Sequence, residues 1–94
     1  MQFETFMQSI PAITPPQNIS IYLLAMWYDA TGNWDKAHAL VDDLDDTTAR
    51  WVHAYLHRKE GDNSNANYWY RKAEKKMPDI SLQQEWENIV KAIL

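Results

Sequence analysis

The sequence predicts an all-α fold of five or six helices, because one spacing pattern occurs twice with an offset of 29 residues. In each copy, small and large residues follow one another at intervals of mostly three or four positions, and a glycine lies in the middle of the copy. The two copies consist of Ala25, Tyr28, Gly32, Trp34, Ala37, Val41 and Leu44, and of Ala54, His57, Gly61, Asn63, Ala66, Tyr70 and Ala73. No segment alternates apolar and polar residues with the period of two that marks a strand. We therefore expect two helical hairpins and no sheet.

The whole chain of 94 residues is predicted to form a single helical domain in three parts. Residues 1–17 are predicted to form a short N-terminal helix and a proline-rich arm. Residues 18–78 hold the two helix–turn–helix repeats, and residues 79–94 form a C-terminal capping helix.

Polar residues and glycines mark the predicted ends of these helices. The candidate N-caps are Asn18 or Ser20, Asn33, Asp46 or Thr47, Asp62 or Asn63, and Ser81. Gly32 and Gly61 are expected in the left-handed conformation that closes the first helix of each hairpin. The fourth helix is predicted to continue to Lys76, before Pro78. Because Ile13 is apolar, the arm is expected to lie across the first hairpin.

Composition and charge exclude several classes of function. The chain has no cysteine, so it can form neither a disulfide framework nor a thiolate metal site. Its start lacks a secretory signal, and its most apolar run, residues 19–28, is about half the length of a membrane span. We expect a cytoplasmic protein without a membrane partner. The net charge is −4 and the basic edge at residues 71–76 is short, which argues against nucleic-acid binding.

Residues 19–78 resemble the tetratricopeptide repeat in their spacing of small residues, aromatic residues and a closing proline. A narrower motif, HAYLHR-x-EGD-x2-NA-x-YWYR-x-A at residues 53–73, resembles a family of small bacterial and fungal proteins. The first resemblance implies stacked helical hairpins and a peptide-binding face, and the second implies no particular activity. Two repeats are fewer than a stable solenoid needs. We expect the two ends of the chain to cap the stack, or a second chain to continue it.

The concave face of such a stack is lined by the first helix of each hairpin. Its residues would be Tyr22, Met26 and Asp29 beside Trp51, Tyr55 and Arg58. Aromatic and arginine enrichment is typical of interface hot spots. The leading prediction is therefore a non-catalytic interaction module that binds a protein or peptide, or a second copy of itself. The alternative is that the N-terminal arm covers these residues as ordinary core.

Histidines near the second turn suggest a different function. His53 and His57 lie four residues apart on one helix, as ligands do in helical zinc sites, and His38 and Glu60 could complete a ligand set. The glutamate that a helical metalloprotease motif places beside its first histidine is missing. Inward-facing histidines bonded to a carbonyl or a tyrosine are the commoner case. The sequence therefore predicts no metal and no cofactor.

Charged residues flank the same turn. Arg58, Glu60, Asp62 and Arg71 could form a salt-bridge and capping network that joins two helices. With His57, the two arginines could instead clamp a carboxylate or another anion. No nucleophile motif supports catalysis. The alternative function is a small-molecule, anion or metal site, either for binding alone or for an enzyme, made of His53, His57, Arg58, Glu60 and Arg71.

Overall fold

The computed structural model describes residues 1–94 and consists of six helices without a strand. The helices are α1 (Phe3–Ser9), α2 (Ile21–Ala30), α3 (Trp34–Asp42), α4 (Thr47–Glu60), α5 (Asn63–Lys72) and α6 (Leu82–Ile93). The predicted all-α fold is confirmed. None of the six helices has the length and apolar character required to cross a bilayer.

Side-chain caps begin five of the helices, as the sequence predicted. Each cap accepts a hydrogen bond from the backbone N–H three residues further on, over 3.0 to 3.2 Å. The capping residues are Ser20, Asn33, Asp46, Asp62 and Ser81. Such a bond satisfies one of the free N–H groups of the first turn.

Glycines close the first helix of each hairpin. Gly32 has a φ of 88° and Gly61 a φ of 89°, a left-handed conformation in which a Cβ is unfavourable. The N–H of the following residue then turns back to the helix, from Asn33 to the carbonyl of Tyr28 and from Asp62 to that of His57. Both glycines therefore have the predicted role.

The fourth helix of the prediction, α5, ends at Lys72, and its expected continuation to Lys76 is wrong. Glu74 adopts a left-handed φ of 60°, and the N–H of Lys75 bonds the carbonyl of Tyr70 at 2.8 Å. This is the same closure that the two glycines make. It could not be foreseen because a glutamate rarely adopts that conformation.

The repeated alanines allow the helices of each hairpin to pack closely. Ala25 and Ala37 are fully buried in the main core, where α2 packs against α3. Ala54 and Ala66 are fully buried between α4 and α5, where they pack with Tyr70. Small side chains at such contacts let helix axes approach each other. The hairpin interpretation of the repeat is confirmed.

Helix α6 lies against α2 and α4, so it fills the groove between the first helices of the two hairpins. Trp86 is 3% exposed, and its indole Nε1 donates to the carbonyl of Met26 at 3.2 Å. Its ring stacks on Phe6 of α1, with 6.2 Å between the centroids. The apolar stripe of α6 is thus buried by both hairpins and by α1.

The covering of this groove differs from the predicted one. Met26, Asp29 and Tyr55, which were expected on a concave face, are at most 2% exposed. They are covered by α6 and α1 and not by the arm, in which Ile13 is 98% exposed. Ile13 therefore does not hold the arm against the first hairpin as expected, although Pro15 and Pro16 of the arm are half-buried. Trp86, Ile89 and Val90 provide much more apolar surface for the groove than one isoleucine does.

Candidate metal centre

All three histidines of the chain meet between α3 and α4. The Nε2 atoms of His38 and His53 are 2.9 Å apart. Including His57, one nitrogen from each ring lies within 4.8 Å of the others. The histidines are 15 and 4 residues apart in sequence, so the fold brings them together.

The two hairpins each contribute to this histidine cluster. His53 and His57 occupy one face of α4 because residues four apart lie one turn above each other. His38 reaches them from α3, the second helix of the other hairpin. A ligand held by all three rings would therefore link the two hairpins.

Two tryptophans form the walls of the cluster. Trp34 stacks on His38 with 4.9 Å between centroids and 9° between planes, and Trp69 stacks on His53 at 4.1 Å and 20°. The indole Nε1 of Trp34 donates to the carbonyl of Leu56 at 2.8 Å, which fixes that ring. Rings held in this way keep the imidazole planes in place without using their nitrogen atoms.

Glu60 orients the third histidine. Its Oε1 is 2.6 Å from Nδ1 of His57, so Nδ1 carries the hydrogen and donates it. In the neutral ring Nε2 of His57 is then the acceptor, and the amide nitrogen of Asn65 lies 3.3 Å from it. A carboxylate on the far nitrogen is the usual second partner of a metal-binding histidine.

Burial keeps His53 uncharged. The pKa of His53 is lowered from 6.5 to about 4. Loss of hydration is the main cause, and repulsion from the charged forms of His38 and His57 contributes to the same shift. His53 is 3% exposed. At neutral pH its imidazole is therefore neutral, which is the form that coordinates metals.

Acid is expected to destabilise the metal-free protein through His53. Its pKa is about 4 in the folded chain and 6.5 in its ordinary state. Between these two pH values His53 is therefore protonated in the unfolded chain and neutral in the folded chain. The free energy of unfolding should fall by up to roughly 3 kcal/mol as the pH drops from 6.5 towards 4. Below pH 4, His53 should cause no further loss of stability.

Urea unfolding with a chelator present, at several pH values across this window, measures that loss. A His53→Gln variant removes the titrating ring and should lose this part of the pH dependence. An equally steep loss of stability in the variant would contradict the assignment to His53.

The predicted anion clamp of Arg58, Arg71 and His57 is not assembled. Arg58 binds the carboxylate of Glu85 at 2.8 Å and also bonds the carbonyl of Ile80. Arg71 is exposed on α5. With His57 bonded to Glu60, two of the three members of the clamp are bonded to other side chains of the fold.

Glu85 on α6, which the sequence analysis did not single out, is 1% exposed. Its carboxylate accepts from Arg58 at 2.8 Å, from the hydroxyl of Tyr70 at 2.7 Å and from Nε1 of Trp51 at 3.2 Å. Burial and the bond to this carboxylate raise the pKa of Tyr70. Arg58 and Trp51, predicted as binding residues, thus hold α6 in place.

Asp29 and Tyr55, also predicted on the binding face, bond to each other. The Tyr55 hydroxyl donates to Oδ2 of Asp29 at 3.0 Å, and Nζ of Lys59 binds Oδ1 at 2.8 Å. Tyr22 donates to Oδ2 of Asp46 at 2.9 Å. These polar groups are satisfied within the fold.

Asp42 at the end of α3 was missed as a neighbour of the histidines. Its Oδ1 is 3.9 Å from Nε2 of His38 and 3.9 Å from Nε2 of His53. The four-residue step from His38 places both side chains on one face of α3, which the sequence does show. No spacing in the sequence indicates that Trp69 packs on His53, because the two residues lie on different helices, α5 and α4.

No family model matches the chain, nor does any curated protein or solved structure match it. The predicted family and the tetratricopeptide relationship stay predictions.

Proposed function

We propose that the protein binds one divalent transition-metal ion, with Zn²⁺ as the first candidate, through His38, His53 and His57. The observation that carries this proposal is the convergence of one nitrogen from each ring within 4.8 Å. Imidazole is a preferred ligand of zinc, copper, nickel and iron.

The distance between two of the three ligands fits with little adjustment, and the nitrogen of His57, within 4.8 Å of both, must move closer. Zinc bonds to histidine nitrogen at about 2.0–2.1 Å, and two such nitrogens of a tetrahedron lie about 3.3 Å apart. The Nε2 atoms of His38 and His53, 2.9 Å apart, need to separate by only about 0.4 Å. The hydrogen between them must leave Nε2, since metal and proton compete for the same lone pair.

The surroundings support a ligand set over ordinary packing. Buried histidines were expected to bond a carbonyl or a tyrosine, whereas two of these rings bond each other and the third bonds Glu60. Burying imidazoles costs hydration that apolar side chains would not lose. The stacked Trp34 and Trp69 fix the rings of His38 and His53 without bonding their nitrogens. The amide of Asn65 must turn away from Nε2 of His57 before a metal can bind there.

Calorimetric titration of chelator-treated protein with Zn²⁺ tests the proposal. We expect one ion per chain, and loss of this binding in His38→Gln and in His57→Gln, because each variant removes one of only three nitrogen ligands. Asp35→Asn is the matched control, since it removes an exposed carboxylate of α3 without touching the histidines. Equal binding by the control and both histidine variants would refute the proposal.

Binding of a protein or peptide, and self-association, stay predictions from the sequence. The residues predicted for the concave face are buried beneath α6 or bonded within the fold, so such a partner would need another surface. We therefore place metal binding first. The cytoplasmic location and the lack of a nucleic-acid partner also stay predictions.

A further inference from the structure

We infer that an exchangeable water or small anion completes the metal's coordination, and that Asp42 accepts a hydrogen bond beside it without being a ligand. This inference rests on the proposed function and specifies what the same site binds besides the metal.

The donor set is the first reason. The ligand atoms that all lie within 4.8 Å of one another in this cluster come from three histidines, and a second group, His57, Glu60 and Asp62, shares only His57 with it. The Oδ1 of Asp42 is 3.9 Å from Nε2 of His38 and of His53, about 0.6 Å more than the separation of two ligands of tetrahedral zinc. Tetrahedral zinc with three protein ligands keeps its fourth position for water or substrate, whereas structural sites have four protein ligands. The histidine cluster corresponds to the first arrangement.

The unequal exposure of the side chains to solvent is the second reason. The side chains of His53 and His57 are 4% and 8% exposed, whereas that of His38 is 24% and that of Asp42 is 53% exposed. Trp69 stacks on His53 and Trp34 on His38, so the groups of the cluster that remain most exposed to solvent are His38 and Asp42. A small ligand can exchange there.

Asp42 is placed to act on that ligand. Its Oδ1 lies 3.9 Å from Nε2 of both His38 and His53, and its side chain is 53% exposed. A metal-bound water has a strongly lowered pKa and donates hydrogen bonds readily. A carboxylate at this position can accept one of them, and its negative charge opposes the binding of an anion.

The test uses Co²⁺ in place of Zn²⁺, because the visible absorption of Co²⁺ reports its ligands. Azide added to the Co²⁺-loaded wild-type protein should change this absorption in a saturable way. Asp42→Asn should still bind Co²⁺ and should bind azide about two- to fivefold more tightly, because it removes a nearby like charge. Asp43→Asn changes the next carboxylate of the chain, which is also exposed; it is the control and should behave as wild type.

Three results would overturn this inference. Tight Co²⁺ binding with no response to azide in the wild type would mean that the position is closed. A response that appears only in Asp42→Asn would make Asp42 the fourth ligand. Both results leave metal binding intact, whereas failure of Co²⁺ and Zn²⁺ to bind in calorimetry removes the proposed function together with this inference.

Discussion

Zinc is expected to raise the midpoint of thermal unfolding of the chelator-treated protein by about 10 to 20 °C at a free concentration of about one hundred times the dissociation constant. At that excess, an ion that binds only the folded state stabilises it by about 2.7 kcal/mol. For a chain of 94 residues, each kcal/mol shifts the midpoint by about 4–8 °C. The effect is large because the histidines of α3 and α4 are brought together only in the folded chain.

His38→Gln provides the critical comparison for this prediction. His38 is the most exposed of the three histidines, so its replacement disturbs the core least. The variant should unfold near the midpoint of the metal-free wild type and show little shift with zinc, whereas Asp35→Asn should shift as the wild type does. A full zinc shift in His38→Gln would contradict the ligand assignment.

Replacing the buried carboxylate on α6 by Glu85→Gln is expected to lower the free energy of unfolding by about 3 kcal/mol. The change keeps the side-chain volume but leaves the guanidinium of Arg58 without its anion. It also removes one of the two acceptor oxygens that Tyr70 and Trp51 share. Breaking a buried pair costs more than the pair contributes, because the remaining charge is left unpaired.

Urea unfolding of Glu85→Gln and Glu87→Gln measures this difference. Glu87 lies on the same helix and is half-buried, so its replacement should change stability by no more than about 0.5 kcal/mol. A domain of this size has a free energy of unfolding of only about 5–15 kcal/mol, so the loss in Glu85→Gln should be readily measured. Equal midpoints for both variants would show that the Glu85 contacts contribute little.

Local features of the fold were predictable because they depend on neighbouring residues. Ser81 and Asp62 cap helices through bonds that span three residues, and Gly61 closes α4 through its own φ. The alanines repeat with helical spacing, so the hairpins could be derived from the sequence. Glu74 was missed because its left-handed conformation is uncommon for its residue type.

The docking of α6 was not predictable to the same degree. Its apolar stripe was clear in the sequence, but the stripe does not say which surface it covers. The choice depends on Glu85, which meets Arg58 and Tyr70 from other helices. For this reason the groove was expected to be either open or covered by the N-terminal arm, whereas the structure fills it with α6.

The candidate site was predictable in part. The four-residue step from His53 to His57 indicated one shared face, and His38 was a possible third ligand. Whether His38 meets them depends on the angle between α3 and α4, which the connection at residues 43–46 and the core determine. Sequence reasoning therefore identified the residue types and could not establish that they converge.

A crystal grown with Zn²⁺ and measured at the zinc absorption edge tests the central claim most directly. We predict a single strong anomalous peak between α3 and α4, at about 2.0–2.1 Å from a nitrogen of His38, His53 and His57. Zinc found only on surface carboxylates, with His38 and His53 still bonded to each other, would contradict it.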